Sequence, residues 1–242
     1  MRAINPWIFL ASLGVLLISF WNRNDIPSKL TLRAELEQEP AQKPVVKDPF
    51  SVEYKGVTYE VEPRYAYDLY GMLVSYRHHD GNSTMHRLSN DHLNVADFCV
   101  VWGDTAASEH LGKISFWNGI FTCNVTTRDP EAWSRFRMDQ LSNNHLISDS
   151  ELVRRAIGKV KIGDQIRIRG WLANYGAAGQ PKRGTSTRRD DQGNGACETI
   201  FVDDFQLIEA AFSPWRTAMY VSLALVLLSG FVHFRLPHRI AD

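Results

Sequence analysis

The sequence predicts a mainly β unit flanked by two membrane-spanning helices. Three observations carry this: an uncharged apolar run near each end, a middle patterned as three strands, a helix and two strands, and long loops at the first and last connections. The 242 residues suffice for one domain with a sizeable core. Apolar residues at 44% and charged ones at 22% exclude disorder, a collagen-like fibre and a disulfide-dense miniprotein. A mean hydropathy of -0.25 excludes a polytopic transporter but leaves room for two spans. Lys plus Arg and Asp plus Glu are both 27, so no global field draws the chain to nucleic acid or anionic lipid.

The first run reads PWIFLASLGVLLISFW from Pro6 to Trp21, and no charge occurs between Ala3 and Asn22. That is close to the ~20 residues needed to cross a ~30 Å hydrocarbon layer. Trp7 and Trp21 bracket it as interface anchors do. A cleaved signal peptide would end in small residues, whereas Ser19-Phe20-Trp21-Asn22 is bulky, so an uncleaved anchor over 1–21 is expected. The second run, Thr217 to Phe234, is apolar on every face, and Arg235, His238 and Arg239 follow it. It is expected to form a span over 215–235 with a cytoplasmic tail at 236–242. Arg235 and Arg239 outweigh Arg216, which points both termini to the cytoplasm and the middle to the periplasm of a bacterial inner membrane. Arg23, Lys29 and Arg33 after the first run point the other way, but long translocated segments are insensitive to such charges.

Residues 22–50 hold Pro27, Pro40, Pro44 and Pro49 among many charges and read as a spacer, with a short helix allowed from Ser28 to Glu39. From 51 to 211 the pattern is strand-like. Tyr67–Tyr76 is a strand bent at Gly71, and Val95–Trp102 and Ile114–Val125 are two more. Ser148-Asp-Ser-Glu151 matches a capping box before the apolar stripe Leu152, Val153, Ala156 and Ile157, which Gly158 ends. Gln165–Leu172 alternates, with Ile166, Ile168 and Leu172 inward, and Thr199–Ile208 is the last strand.

That order is the order of an OB-like five-stranded barrel with one inserted helix. The loops Arg77–Asn94 and Ala173–Cys197 fall where OB folds carry their ligand-binding loops. The first contains His78, His79, His86 and His92 at spacings that fit no metal site, and neighbours such as His78 and His79 point to opposite faces of a strand. The second contains Arg188, Arg189, Asp190 and Asp191, suited to pin the loop or to grip an anionic partner. A calcium loop starting at Asp190 would need Glu at position 201, which is Phe, and no Gly-Lys-Ser/Thr phosphate loop occurs. No metal and no cofactor are expected.

Cys99, Cys123 and Cys197 allow at most one bridge, with Cys123 able to meet either of the others. Cys197, His145 and Asp191 are the residues an enzyme reading would use as nucleophile, base and orienter. Arg167, Arg169 and Trp171 on one strand face are those a single-stranded nucleic acid would use, with Trp171 as stacking platform.

Tyr67-Asp68-Leu69-Tyr70-Gly71, Trp102-Gly103, Asn144-His145-Leu146-Ile147, Gly163-Asp164, and Arg189, Asp191, Gly193 with Gly195-Ala196-Cys197-Glu198 together resemble a family of uncharacterised bacterial envelope proteins. The resemblance covers about Tyr67 to Val202, and Gly-Ala-Cys-Glu is its most specific string. It implies a secreted or anchored small domain with no assigned activity. The carboxy-terminal run departs from that pattern and suggests a role in a membrane complex. The expectation is therefore a membrane-anchored accessory or structural subunit, more an interaction protein than an enzyme. Its partners would be the bilayer and a membrane protein complex or further copies of itself, and nucleic acid is the least favoured.

Overall fold

The computed structural model describes residues 5–27, 30–79, 90–119, 122–188 and 197–235. The chain divides into a helical unit, Met1–Asp25 with Phe212–Asp242, and a β unit, Ile26–Ala211.

The helical unit holds α1 (Asn5–Asn22) and α5 (Pro214–Arg235), both long and apolar enough to cross a membrane. They pack on each other with small polar residues inside. Ser12, Ser19, Ser222 and Ser229 are buried while Trp7, Leu17, Leu227 and Phe231 are exposed. Ser229 Oγ donates to Asn5 Oδ1 at 2.7 Å, and Asn5 Nδ2 donates back to Ser229 O at 3.1 Å.

The β unit is built on β1 (Ala41–Pro44), β2 (Phe50–Tyr54), β3 (Val57–His78), β4 (Asn94–Val101), β5 (Ser115–Asn118), β6 (Cys123–Thr126), β7 (Leu141–Ile147), β8 (Gln165–Ala177) and β9 (Cys197–Glu209). Among the described residues three short helices join them: α2 (Gly103–Ala107), α3 (Pro130–Arg135) and α4 (Glu151–Ile157). Five strands close a ring in the order β3-β4-β7-β9-β8 and back to β3. All neighbours are antiparallel except β7 and β9. Closure leaves no free edge between these five strands.

Two glycines make the ring turn. β3 pairs with β8 as far as Met72 and with β4 from Met72 onward, so Gly71 stands at the change of partner. A Cβ at Gly71 would overlap Val100, and one at Gly170, beside an irregularity in the β8–β9 pairing, would overlap Phe201 O. The inside of the ring is apolar. Leu69, Phe98, Val100, Leu146, Ile166, Ile168, Leu172 and Ile200 are fully buried there, with Val153 and Ile157 of α4 packed against them.

The structure corrects three sequence expectations. Ile114–Val125 is not one ring strand: β5 and β6 form a separate hairpin, and the third ring strand is β7. Its Ser-Asn-Asn-His run hides it, because both its faces are buried although its composition is polar. Ser148 is not the cap of α4. Ser150 occupies that position without a side-chain bond, and the buried Ser148 Oγ donates to Val202 O at 2.9 Å. Most of 22–50 is no spacer either. A 3-10 turn at Ala34–Glu37 buries Leu36 beside Met72, Val74 and Leu111, and β1 pairs along β3. Pro44 ends that edge strand, where a missing donor costs no ladder bond. Cys99 of β4 is bonded to Cys123 of the hairpin, and Cys197 is free and buried.

Candidate functional site

Side chains alternate across a strand, so residues between the core positions of β4, β7 and β9 face out of the ring. Pairing aligns Asp97 with His145 and Thr199 in one row, and Cys99 with Asn143 and Cys197 in the next. This outer face is polar yet buried. An apolar cluster lies on either side of it, one around Cys99, Val101 and Leu111, the other around Ile147, Tyr175 and Phe201.

Asp97 is its centre. His145 Nδ1 lies 2.7 Å from Asp97 Oδ1, and His79 Nε2, just past the end of β3, lies 2.8 Å from Asp97 Oδ2. His145 Nε2 lies 2.8 Å from the Tyr175 hydroxyl of β8, which is 3.0 Å from Asp91 Oδ1 in the segment leading into β4. The result is a continuous chain, Asp97–His145–Tyr175–Asp91, with His79 as a branch. Burial works against the Asp97 charge, but the bonds from His145 and His79 outweigh it and hold the carboxyl well below the usual carboxylate range. Burial pushes His145 down, against the pull of Asp97, and pushes the Tyr175 hydroxyl well above its ordinary value.

Both long loops reach this face. Residues Asn90–Leu93 end the first: Tyr59 OH donates to Asn90 O, His92 N donates to Tyr59 OH at 2.9 Å, and the Arg154 guanidinium donates to Leu93 O at 2.9 Å. Residues 183–186 of the second run along β8 and β9. Arg183 and Tyr175 exchange backbone bonds of 3.0 and 2.7 Å, and Ser186 N donates to Cys197 O at 2.9 Å. Lys182 Nζ, 2.8 Å from Glu60 and 2.5 Å from Glu62, ties that loop to β3. Beside Cys197, both polar atoms of the buried Asn143 side chain lack a hydrogen-bond partner among the described residues.

The residues that the sequence offers as candidates separate on this geometry. His79 and His145 belong to the chain, whereas the adjacent His78 is exposed and rests its ring 4.7 Å from Tyr76. Cys197 and His145 do not form a nucleophile and base. Both imidazole nitrogens are engaged by Asp97 and Tyr175, and burial pushes the Cys197 thiol up to about 12. Arg183 Nη2 is instead the group near its sulfur, at 3.5 Å. Trp171 is not an open stacking platform: the Lys47 ammonium sits 3.5 Å from its ring centroid, and Phe50 and Phe201 pack at 6.2 and 6.1 Å. Arg167 forks onto Asp68 at 2.9 and 2.6 Å, and Arg169 faces Asp203 and Asp204 at 3.8 Å, so their charge is answered within the unit. Arg188 is exposed, its backbone tied to Ser186 Oγ, while Arg189, Asp190 and Asp191 lie outside the described residues. His86 does also.

The sequence alone does not single out Asp91, Asp97 or Tyr175. The available signal is a lone carboxylate in the apolar stretch Val95-Ala-Asp-Phe-Cys-Val-Val101, beside a polar run in another buried strand. Among the described residues no group of three or more His, Cys, Asp or Glu is arranged to hold a metal ion. No protein-family model, curated protein or solved structure matches the chain.

Proposed function

We propose that the chain is a membrane-anchored accessory or structural subunit of a bacterial envelope complex, presenting an OB-like unit on the periplasmic side of the inner membrane with both termini in the cytoplasm. The observation that carries this reading is the pair of inside-out helices at the two ends of a single β unit. Three residues, Arg23 to Asp25, separate α1 from that unit, and two, Phe212 and Ser213, separate it from α5. The two points where the chain enters and leaves the β unit are adjacent: Gly163 lies against both Pro27 and Ala211, and Ala211 N donates to Asp164 Oδ1 at 2.8 Å.

Three further observations support it. The ring order, its one parallel pair and the helix between the third and fourth ring strands favour the OB-like reading. The Cys99–Cys123 bridge favours an oxidising compartment. Both long loops meet at Tyr175, and the segment between β4 and β7 exposes Trp117 and Trp133, aromatics of the kind that anchor protein interfaces.

Extraction of the full chain in mild detergent followed by native mass spectrometry tests the reading. An assembly larger than one chain, reduced when Trp117 and Trp133 are replaced by Ala, is expected. Recovery of the single chain alone, from cells where it is made at its natural level, contradicts it.

A further inference from the structure

We infer that the corner formed by Trp171 and Phe50 is a binding site for a trimethylammonium group, which the Lys47 side chain occupies until such a ligand displaces it. Strand pairing builds the corner. Trp171 of β8 lies opposite Phe201 of β9, and Phe50, the first residue of β2, lies opposite Val61 of β3. The Trp171 and Phe50 rings stand 6.2 Å apart at 72°, so they form two walls nearly at right angles. Phe201, itself buried, packs against both, 5.2 Å from Phe50 and 6.1 Å from Trp171. All three belong to one apolar cluster with Tyr59, Ile147 and Tyr175, which fixes the walls before any ligand arrives.

The corner already holds a cation. Lys47 Nζ lies 3.5 Å from the Trp171 ring centroid and 4.9 Å from that of Phe50. Among the described residues these two rings are the only partners of its ammonium. Lys47 sits in the middle of residues 45–49, a short bow between β1 and β2, and both of those strands are pinned to β3 by pairing. Val45 N donates to Arg64 O at 3.4 Å, and the bow is exposed from Val46 to Pro49. The lysine side chain can therefore swing into water while the backbone on either side stays in place.

The chemistry of the two cations decides which one the corner prefers. An aromatic face attracts positive charge through its quadrupole, and the attraction grows as water is removed. A lysine ammonium is a compact, strongly hydrated charge, so two half-buried rings hold it weakly. A trimethylammonium group carries the same charge beneath three methyl groups, gives up its water more readily, and lays apolar surface on both walls. It gains more than Lys47 from the same corner. Such groups occur free, as in choline, or on a phosphatidylcholine headgroup, and the corner reads only the group they share.

The test uses the full chain, isotope-labelled at its tryptophan indoles and held in maltoside micelles, titrated with choline at constant ionic strength and followed by nuclear magnetic resonance. Trp171→Phe identifies the Trp171 indole signal by its loss. Choline should move that signal, and Lys47→Ala, which vacates the corner, should bind choline about tenfold more tightly than wild type. The uncharged carbon analogue of choline should move it far less, and adding Phe50→Leu to Lys47→Ala should weaken choline binding severalfold. Nanodiscs of phosphatidylcholine compared with nanodiscs of phosphatidylglycerol separate the two sources. A shift between the nanodiscs alone identifies the headgroup, and a shift with choline alone identifies the free compound. A Trp171 signal in Lys47→Ala that neither choline nor phosphatidylcholine moves, or that the uncharged analogue moves equally, would overturn the inference.

Discussion

The two units bury opposite things. In the β unit the interior is Leu, Ile, Val and Phe, and the polar network on its outer face centres on Asp97, which two histidines hold. In the helical unit the interior is serine: Ser19 and Ser229 are 1% and 4% exposed, whereas Trp7 and Leu227 are 72% and 66% exposed. A helix pair that shows leucine and tryptophan outward would be costly in water and is ordinary in hydrocarbon, where small residues let backbones approach and polar side chains bond across. The contrast teaches that the two units suit different surroundings, since the helical unit turns outward what the β unit turns inward. Apolar content alone does not reveal this; which residues are turned inward does.

The contrast can be broken at several points, the strongest inside the β unit. Asp97→Ala strips the common acceptor from two largely buried histidines and should cost about 3–5 kcal/mol by chemical denaturation. The pH dependence that Asp97 confers has a definite sign. Its folded value is depressed, so its contribution is present above the ordinary carboxylate value of ~4 and is lost as pH falls toward the folded value. Wild type should therefore lose stability in acid more steeply than Asp97→Asn, measured as urea midpoints. Next comes the bridge. Replacing Cys99 and Cys123 by Ser, which opens a loop of sequence separation 24, should cost about 3 kcal/mol and abolish the gel shift on reduction.

In the helical unit the effects act on insertion. Leu227→Arg places a charge on an exposed apolar face, and at about 2.5–3.5 kcal/mol it should lower the carbonate-resistant membrane fraction while leaving the far-ultraviolet spectrum of the β unit unchanged. Ser229→Ala is the mildest test. Removing its bond to Asn5 should weaken helix pairing by about 0.6 kcal/mol, visible as reduced cross-linking between cysteines introduced in α1 and α5.

Much of the architecture is legible in the sequence because its causes are local. Charge-free runs long enough to span a bilayer mark α1 and α5, the apolar stripe before Gly158 marks α4, and Ile166, Ile168 and Leu172 do face inward on β8. β7 escapes because alternation fails as a signal when a strand has both faces buried and one of them polar. Leu36 and β1 escape because proline and charge density describe a segment's own preference, not the groove it can fill. For the site, His79 and His145 are visible as residues, but their shared partner is not. Asp97 and Asp91 join them through strand register and a loop return, and register is fixed only once the ring closes. The choice of Cys99 for Cys123 is likewise out of reach, because it depends on the hairpin lying outside the ring.

That one chain meets two solvents is tested most directly by sidedness measured in cells. Full-length protein carrying a fluorescent reporter at its carboxy terminus, with membrane-impermeant thiol labelling of a cysteine introduced at exposed Trp133 in the β unit, reads both sides at once. The expected result is carbonate-resistant membrane association, a reporter fluorescent in the cytoplasm, and labelling at position 133 in intact spheroplasts. A product in the soluble fraction, or a position 133 labelled only after the inner membrane is broken, would contradict it.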